Sequence, residues 1–270
     1  MNKHSLSEAV NERRIRHLFL WLMLLSVPAL GSASELADTI DKVRASIVAV
    51  GTARPIQRTN PENPPLRFLG TGFAIGDGSL VVSNLHVLPK EVDWKNDESL
   101  VVFTGRGEQA TAIKVTVLAE DPEHDLVLLK LKGSSLPALT LAGDGMIREG
   151  EEVAFTGFPL GMVLGLYPVT HKAIVSAITP SVIPSQQAAK LTPEQVRRLR
   201  APYEVYQLDA VAYPGNSGSP MYDSRTGVVL GVLNSVFVKG TKEAVLERPS
   251  GITYVIPVRY VNDLIKRGRR

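Results

Sequence analysis

The chain has 270 residues, 44% of them hydrophobic and 21% charged, a balance that permits a sizeable buried core and excludes a disordered or collagen-like polymer. Of its formal net charge of +3, two units come from Lys3, Arg13, Arg14 and Arg16 set against Glu8 and Glu12 near the N-terminus, and the remaining charges are interspersed. No basic stripe for nucleic acid is visible, and the absence of cysteine excludes disulfides, thiol chemistry and thiolate metal sites.

In chain order, "NERRIRH" provides a positive region and "LFLWLMLLSVPAL" an apolar run of 13 residues, followed by small Gly31 and Ala33. A transmembrane helix wants about 20 apolar residues. Residues 1–33 therefore read as a secretory signal peptide cleaved near Ala33, with an uncleaved anchor as the alternative and no stable membrane span expected after cleavage. An exported chain without cysteine suits a periplasm.

Strand signals dominate after residue 45. "SIVAVGT", "GTGFAI", "LVVSN", "TAIKVTVLA", "DLVLLKL", "EEVAFTG", "PVTHKAIVSAI", "EVYQLDA", "GVVLGVLNSVF" and "GITYVIPV" are short, rich in Val, Ile, Leu and Thr, and separated by Gly, Pro, Asp or Asn. The class is all-β. "AIGDGSLVV" reads as a tight hairpin in which Gly76, Asp77 and Gly78 can take positive φ. "KGSSLPALTLAGDG" separates two groups of strands of similar size, which suggests two small barrels acting as one unit.

Two helices are expected. In "LTPEQVRRLR", Thr192 is an N-cap, Pro193 suits the first turn and Gln195 completes a capping box. In "PVRYVNDLIKRG", Val258, Val261, Leu264 and Ile265 recur at helical spacing. The closing "KRGRR" reads as a solvated tail whose cations suit a helix C-terminus.

The candidate chemistry begins at "GNSGSP", residues 215–220. By itself the hexapeptide reads as a hairpin of turn formers; alternatively, Gly215 and Gly218 allow torsions that let the N–H groups of Gly215 and Ser217 converge into an oxyanion-hole geometry, with Pro214 and Pro220 stiffening the flanks. A serine nucleophile also needs an imidazole and a carboxylate to fix its tautomer. His86 is the best base, at the end of "LVVSN" before the chain turns at Pro89. Asp125 stands at the mouth of the apolar strand "LVLLKL". His124 beside it is expected to be exposed, because strand neighbours point to opposite faces. No cluster at metal-ligand spacing lies outside these residues, and no metal or cofactor is expected.

"GTGFAIGDGSLVVSNLHVL", "EHDLVLLKL" and "DAVAYPGNSGSPMYD" follow one another in the order His, Asp, Ser. This combination resembles the trypsin-like serine proteases, most closely the HtrA/Deg-type peptidase domain. "GFPLGMVLGLYPVTHKAIVSAI" and "GITYVIPVRYVNDLI" resemble further segments of that family, so residues 36–265 are nearly all covered. The resemblance implies two six-stranded antiparallel β-barrels of the chymotrypsin type, about 36–135 and 145–258, and a C-terminal helix over 258–267. It makes Ser217 the nucleophile, His86 the general base and acid, and Asp125 the orienting carboxylate, with the backbone of Gly215 and Ser217 as oxyanion hole.

The resemblance further implies a substrate pocket walled by Val211, Ala212 and Tyr213 on one side and by Asn234, Ser235 and Val236 on the other. Val211 stands where a trypsin carries an aspartate, so small or medium aliphatic P1 residues are expected. Protein or peptide substrates are the implied partners, and a homo-oligomer is compatible with the family. Ser219 departs from the family's second glycine. Members usually continue into PDZ domains, whereas this sequence stops at Arg270, so binding of C-termini by strand addition is not expected. The segment 180–204 reads as a surface insertion beside the site, with gating of the catalytic turn as the sharper alternative. Two other functions compete with an exported endopeptidase. A non-catalytic binding module would be free to lose the triad, and an α/β-hydrolase would need a helix after the serine and the order Ser, Asp, His.

Overall fold

A computed structural model describes residues 35–56, 64–159, 165–181, 202–234 and 251–269. All of these but Glu35–Ala37 belong to one compact unit, Asp38–Arg270. The expected leader, the expected helix at 191–200 and residues 182–201 of the possible gating segment lie outside the described residues.

After helix α1 (Glu35–Arg44) come six strands: β1 (Ile47–Ala53), β2 (Leu66–Ile75), β3 (Leu80–Asn84), β4 (Ser99–Thr104), β5 (Thr111–Asp121) and β6 (Leu126–Leu131). They close into a barrel in the order β1-β2-β3-β6-β5-β4, and every pairing is antiparallel. The next six are β7 (Glu152–Gly157), β8 (Val169–Pro180), β9 (Glu204–Leu208), β10 (Pro220–Asp223), β11 (Val229–Asn234) and β12 (Thr253–Pro257). These close in the order β10-β11-β12-β9-β8-β7, again antiparallel throughout. Closure removes the sheet edges that would otherwise offer unpaired backbone groups.

Side-chain alternation decides what each barrel buries. Val48, Val50, Ala74, Val81, Val102, Val127 and Leu129 fill the first. Val153, Phe155, Val175, Tyr206, Leu208, Met221 and Val255 fill the second, where the Tyr206 hydroxyl accepts the Ile147 N–H at 3.0 Å. Each fully buried apolar side chain contributes about 1.5–3 kcal/mol relative to exposure. β5 keeps most of its residues exposed or half-exposed, as its alternation with Lys and Thr requires, while β6 is buried at every position but Lys130.

Helix α2 (Val258–Gly268) buries Val258, Val261 and Leu264 and packs against β5 and β6 of one barrel and β11 and β12 of the other. The all-β class, the two six-stranded barrels and the terminal helix match the reading of the sequence. Among the described residues, no helix is long and apolar enough to cross a membrane.

Several details differ from expectation. Strand β4 and the four-residue β10 were not anticipated, nor was α1. In the β2–β3 hairpin, Gly76 and Gly78 take φ of 66° and 83°, while Asp77 stays out of that region and instead accepts the Ser79 N–H at 3.0 Å. Within "KRGRR", Lys266 pairs with Asp263 at 2.9 Å, and an Nη2 hydrogen of Arg267 is donated to the buried carboxylate of Asp121. Arg267 is thus both solvent-exposed, at 53% of its side chain, and hydrogen-bonded to Asp121.

Candidate active site

Strand β3 ends in two buried polar residues, Ser83 and Asn84, before a single 3-10 turn over Leu85–Val87 carries His86. Asp125 closes the turn between β5 and β6 with φ of 55°, one of two described non-glycine residues in the left-handed region. Its carbonyl accepts both the Leu85 N–H and an Asn84 Nδ2 hydrogen at 3.1 Å. Such a backbone is disfavoured by about 1–3 kcal/mol unless its surroundings hold it, and these two donors are part of that hold.

The carboxylate of Asp125 then faces His86 squarely. Oδ2 lies 2.5 Å from His86 Nδ1, and Oδ1 accepts the backbone N–H of His86 at 2.9 Å. With Nδ1 donating to the carboxylate, the neutral ring leaves Nε2 as its acceptor nitrogen. A third donor comes from the other barrel, where Asn234 at the end of β11 gives an Nδ2 hydrogen to Asp125 Oδ2 at 2.7 Å.

Ser217 sits on the seam of the two barrels, in the loop before β10, and is 4% exposed. The turn Tyr213–Asn216 is closed by an Asn216 N–H to Tyr213 O bond of 3.0 Å, with Pro214 second and Gly215 third at φ of 100°. That is the type II pattern, and it decides the face to which the Gly215 N–H points. Gly218 follows Ser217 at φ of 86°.

Strand β2 stitches this loop to the first barrel. The Thr71 N–H donates to Ser217 O at 2.9 Å and Thr71 Oγ1 donates to Gly215 O at 2.7 Å, while Oγ1 accepts the Phe158 N–H at 3.0 Å. Ser83 Oγ donates to Thr71 O at 2.7 Å. A Cβ on Gly70 would fall 2.7 Å from a Val87 methyl and 3.1 Å from Ser217 O. The residue after His86 and the backbone of Ser217 thus face each other across one glycine.

Ser219 does not open the loop. Its N–H donates to Asn216 O at 3.0 Å and its carbonyl accepts the Leu233 N–H at 2.9 Å. Its hydroxyl is buried without a hydrogen-bond partner, as are both side-chain amide atoms of Asn216. Gly157 provides the room, since a Cβ there would lie 2.0 Å from Ser219 Oγ.

Of the pocket residues expected from sequence, Ala212 is buried and Val211 and Tyr213 are half-buried, whereas Ser235 and Val236 lie outside the described residues. Asn234 is 1% exposed and turned onto Asp125, a role its strand reading did not anticipate. Thr71, Ser83 and Asn84 were missed as well. Their signal was a polar residue inside each of the apolar strands "GTGFAI" and "LVVSN", because a buried polar side chain demands a partner.

His124 corrects an expectation. Residues 122–125 form a turn and not a continuous strand, so alternation does not apply. The ring is stacked on Tyr260 at 3.9 Å, meets Tyr203 edge-on at 4.6 Å, and holds its Nδ1 2.8 Å from Asp121 Oδ2. Burial alone would raise the Asp121 carboxyl, yet hydrogen bonds from His124 and Arg267 outweigh it and hold the group at about 2.

Two closed six-stranded antiparallel barrels of this kind, with a terminal helix, are the chymotrypsin-like fold. A family model described as "Trypsin-like peptidase domain" matches residues 70–232, and the chain belongs to this family. Among its relatives are proteins named "Probable periplasmic serine endoprotease DegP-like". That of Halomonas elongata is 25% identical over 93% of this chain and 54% of its own length. That of Pseudomonas fluorescens is 28% identical over 73% of this chain and 34% of its own. The chain thus spans about half the length of the first relative and a third of the second. The fold is shared with a solved structure titled "HtrA-type protease AlgW with tripeptide", at a TM-score of 0.59 and 21% identity, over 86% of this chain and 62% of that one.

Proposed function

We propose that this protein is an exported serine endopeptidase that cleaves protein substrates through an acyl-enzyme on Ser217. The observation that carries the reading is the carboxylate of Asp125 locked on His86 Nδ1 at 2.5 Å, on the same seam as the glycine-flanked turn of Ser217. Export is supported by the leader pattern in residues 1–33 and by the periplasmic relatives.

In the reaction, Ser217 Oγ attacks the scissile carbonyl carbon while His86 Nε2 takes its proton. The oxyanion accepts hydrogen bonds from the N–H groups of Gly215 and Ser217, each worth about 2.7–4 kcal/mol in the transition state. Asp125 holds the tautomer and stabilises the imidazolium. His86 then protonates the departing amine, and water, activated by the same ring, hydrolyses the ester. Val211 offers no charge to a basic P1 side chain, so small or medium aliphatic residues are preferred there.

A fluorophosphonate probe tests this directly. The purified protein is expected to be labelled covalently, and Ser217→Ala not at all, with casein or peptide cleavage following the same pattern. A folded wild type that resists the probe and cleaves nothing would overturn the enzyme reading in favour of a binding module. Arg or Lys at P1 in a peptide-library profile would overturn the pocket assignment alone.

A further inference from the structure

The outer side of the Asp125 turn is held by a second set of side chains that the proposed chemistry does not use. Asp121, the last residue of β5, is 3% exposed at its side chain and forms the hub. Its Oδ1 accepts the His124 N–H at 3.2 Å, and its Oδ2 accepts from His124 Nδ1 at 2.8 Å and from Arg267 Nη2. The His124 ring is further clasped by Tyr260 and Tyr203.

Arg267 reaches this hub because of how α2 is built. Val258, Val261 and Leu264 are buried, while Arg267, in the last turn, has a side chain 53% exposed whose guanidinium is turned back onto Asp121. Gly268 then brings the helix end close, since a Cβ there would lie 3.2 Å from the Ala119 Cβ and 3.3 Å from a Leu128 methyl. Ala119 and Leu128 belong to β5 and β6, the two strands that flank the turn.

We propose that Arg267, acting through Asp121 and His124, is a positioning residue that holds Asp125 in its left-handed conformation and so keeps its carboxylate on His86. The inference rests on the protease reading above. Asp125 takes φ of 55° at the last residue of the turn 122–125, directly before β6, in a region that costs a residue with a Cβ unless its surroundings hold it. The inner grip comes from Asn84, Leu85 and Asn234, and the outer grip comes from the preceding residue, whose backbone and ring are both fixed to Asp121. Arg267 supplies a permanent cation to that buried carboxylate. Without it, the buried carboxylate keeps only its hydrogen bonds from His124, and the turn is free to relax.

The test compares Arg267→Met with Arg267→Lys and with Lys266→Met, a neighbouring cation on the same helix that does not touch the turn. Arg267→Met is expected to lower kcat about ten- to hundredfold with KM little changed, in keeping with the cost of small misplacements of catalytic groups. Arg267→Lys is expected to recover most of that loss, and Lys266→Met to behave as wild type. A second readout needs no turnover: the low-field proton signal of the His86 Nδ1–H in the hydrogen bond to Asp125, present in the folded wild type, should weaken or vanish in Arg267→Met. If Arg267→Met stays folded and keeps both kcat and that signal, the positioning role is wrong. A wild type that shows the signal but takes no fluorophosphonate refutes the protease reading, and loss of the signal in Arg267→Met would still uphold the positioning of Asp125.

Discussion

Asn234→Ala isolates the link between the two barrels at the Asp125 carboxylate. Asp125 Oδ2 has two donors, His86 Nδ1 at 2.5 Å and Asn234 Nδ2 at 2.7 Å, and the Asn234 side chain arrives from the far barrel. A hydrogen bond to a charged acceptor contributes about 1.5–3 kcal/mol, and more when its loss leaves a buried charge under-solvated. Asp125 is 13% exposed at its side chain, so water can replace the amide only in part. If most of that loss is felt in the transition state, kcat/KM should fall about 10- to 100-fold, at 1.4 kcal/mol per decade. The same loss in the ground state should lower Tm by about 3–10 °C in a chain of this size. The assay is the second-order rate of fluorophosphonate labelling alongside peptide kcat/KM, with thermal unfolding as the folding control. Asn234→Asp, similar in shape, sets a second carboxylate against Oδ2 and should be worse than alanine. An Asn234→Ala protein that labels within twofold of wild type would refute the view that this amide holds Asp125 for catalysis.

Other positions give sharper steric tests. Gly218→Ala places a Cβ 2.0 Å from Thr71 O and 2.5 Å from Ser83 Oγ at φ of 86°, so it should abolish labelling and lower Tm markedly; normal labelling would mean that the loop of Ser217 is not stitched to β2 as described. Gly157→Ala should disrupt the same loop by meeting Ser219 Oγ at 2.0 Å, and adding Ser219→Gly should restore part of the lost stability; strictly additive effects in a double-mutant cycle would refute the contact. Ser219→Ala, which removes a buried hydroxyl without a partner, should raise stability by about 1 kcal/mol in urea unfolding and leave turnover unchanged. Asp121 gives a pH test. Its folded value of about 2 lies below its ordinary 3.8, so its contribution of about 2 kcal/mol is fully present above about pH 4 and lost as the pH falls towards 2. The stability gap between wild type and Asp121→Asn should therefore narrow over that interval, and a constant gap would contradict the assignment.

Most of the barrel framework was legible because β-branched runs bounded by Gly, Pro and Asn leave few other readings, and the His, Asp, Ser order could be read directly. The failures have separate physical causes. Strand β10, "PMYD", is too short for periodicity to register and begins at a proline that cannot donate to a ladder, so it is specified by its partners Met221↔Phe155 and Met221↔Gly231 and not by itself. Strand β4, "SLVVFT", did carry an apolar signal, and nothing in its chemistry hid it. The supporting residues Thr71, Ser83, Asn84 and Asn234 were out of reach for another reason. Each is a common polar residue, and its role exists only through a partner on another strand, turn or loop, between 12 and 144 residues away in the bonds described.

That long-range character explains where the candidate site sits. Each closed barrel satisfies its own backbone, so neither has a free edge on which to build a rigid cleft, and the polar groups left to organise lie where the two bodies meet. His86 and Asp125 belong to the first barrel, Ser217 and Asn234 to the second, and Thr71 and Asn234 carry hydrogen bonds across in opposite directions. Displacing one barrel would therefore break the hold on Asp125 and the hold on Ser217 together. Helix α2 resists such displacement because it packs on β5 and β6 as well as β11 and β12, and Arg267 ties its last turn to the Asp125 side of the seam. The geometry of the site is thus coupled to a helix that contributes no reacting atom, and substitutions on the buried face of that helix should reach catalysis before they unfold either barrel.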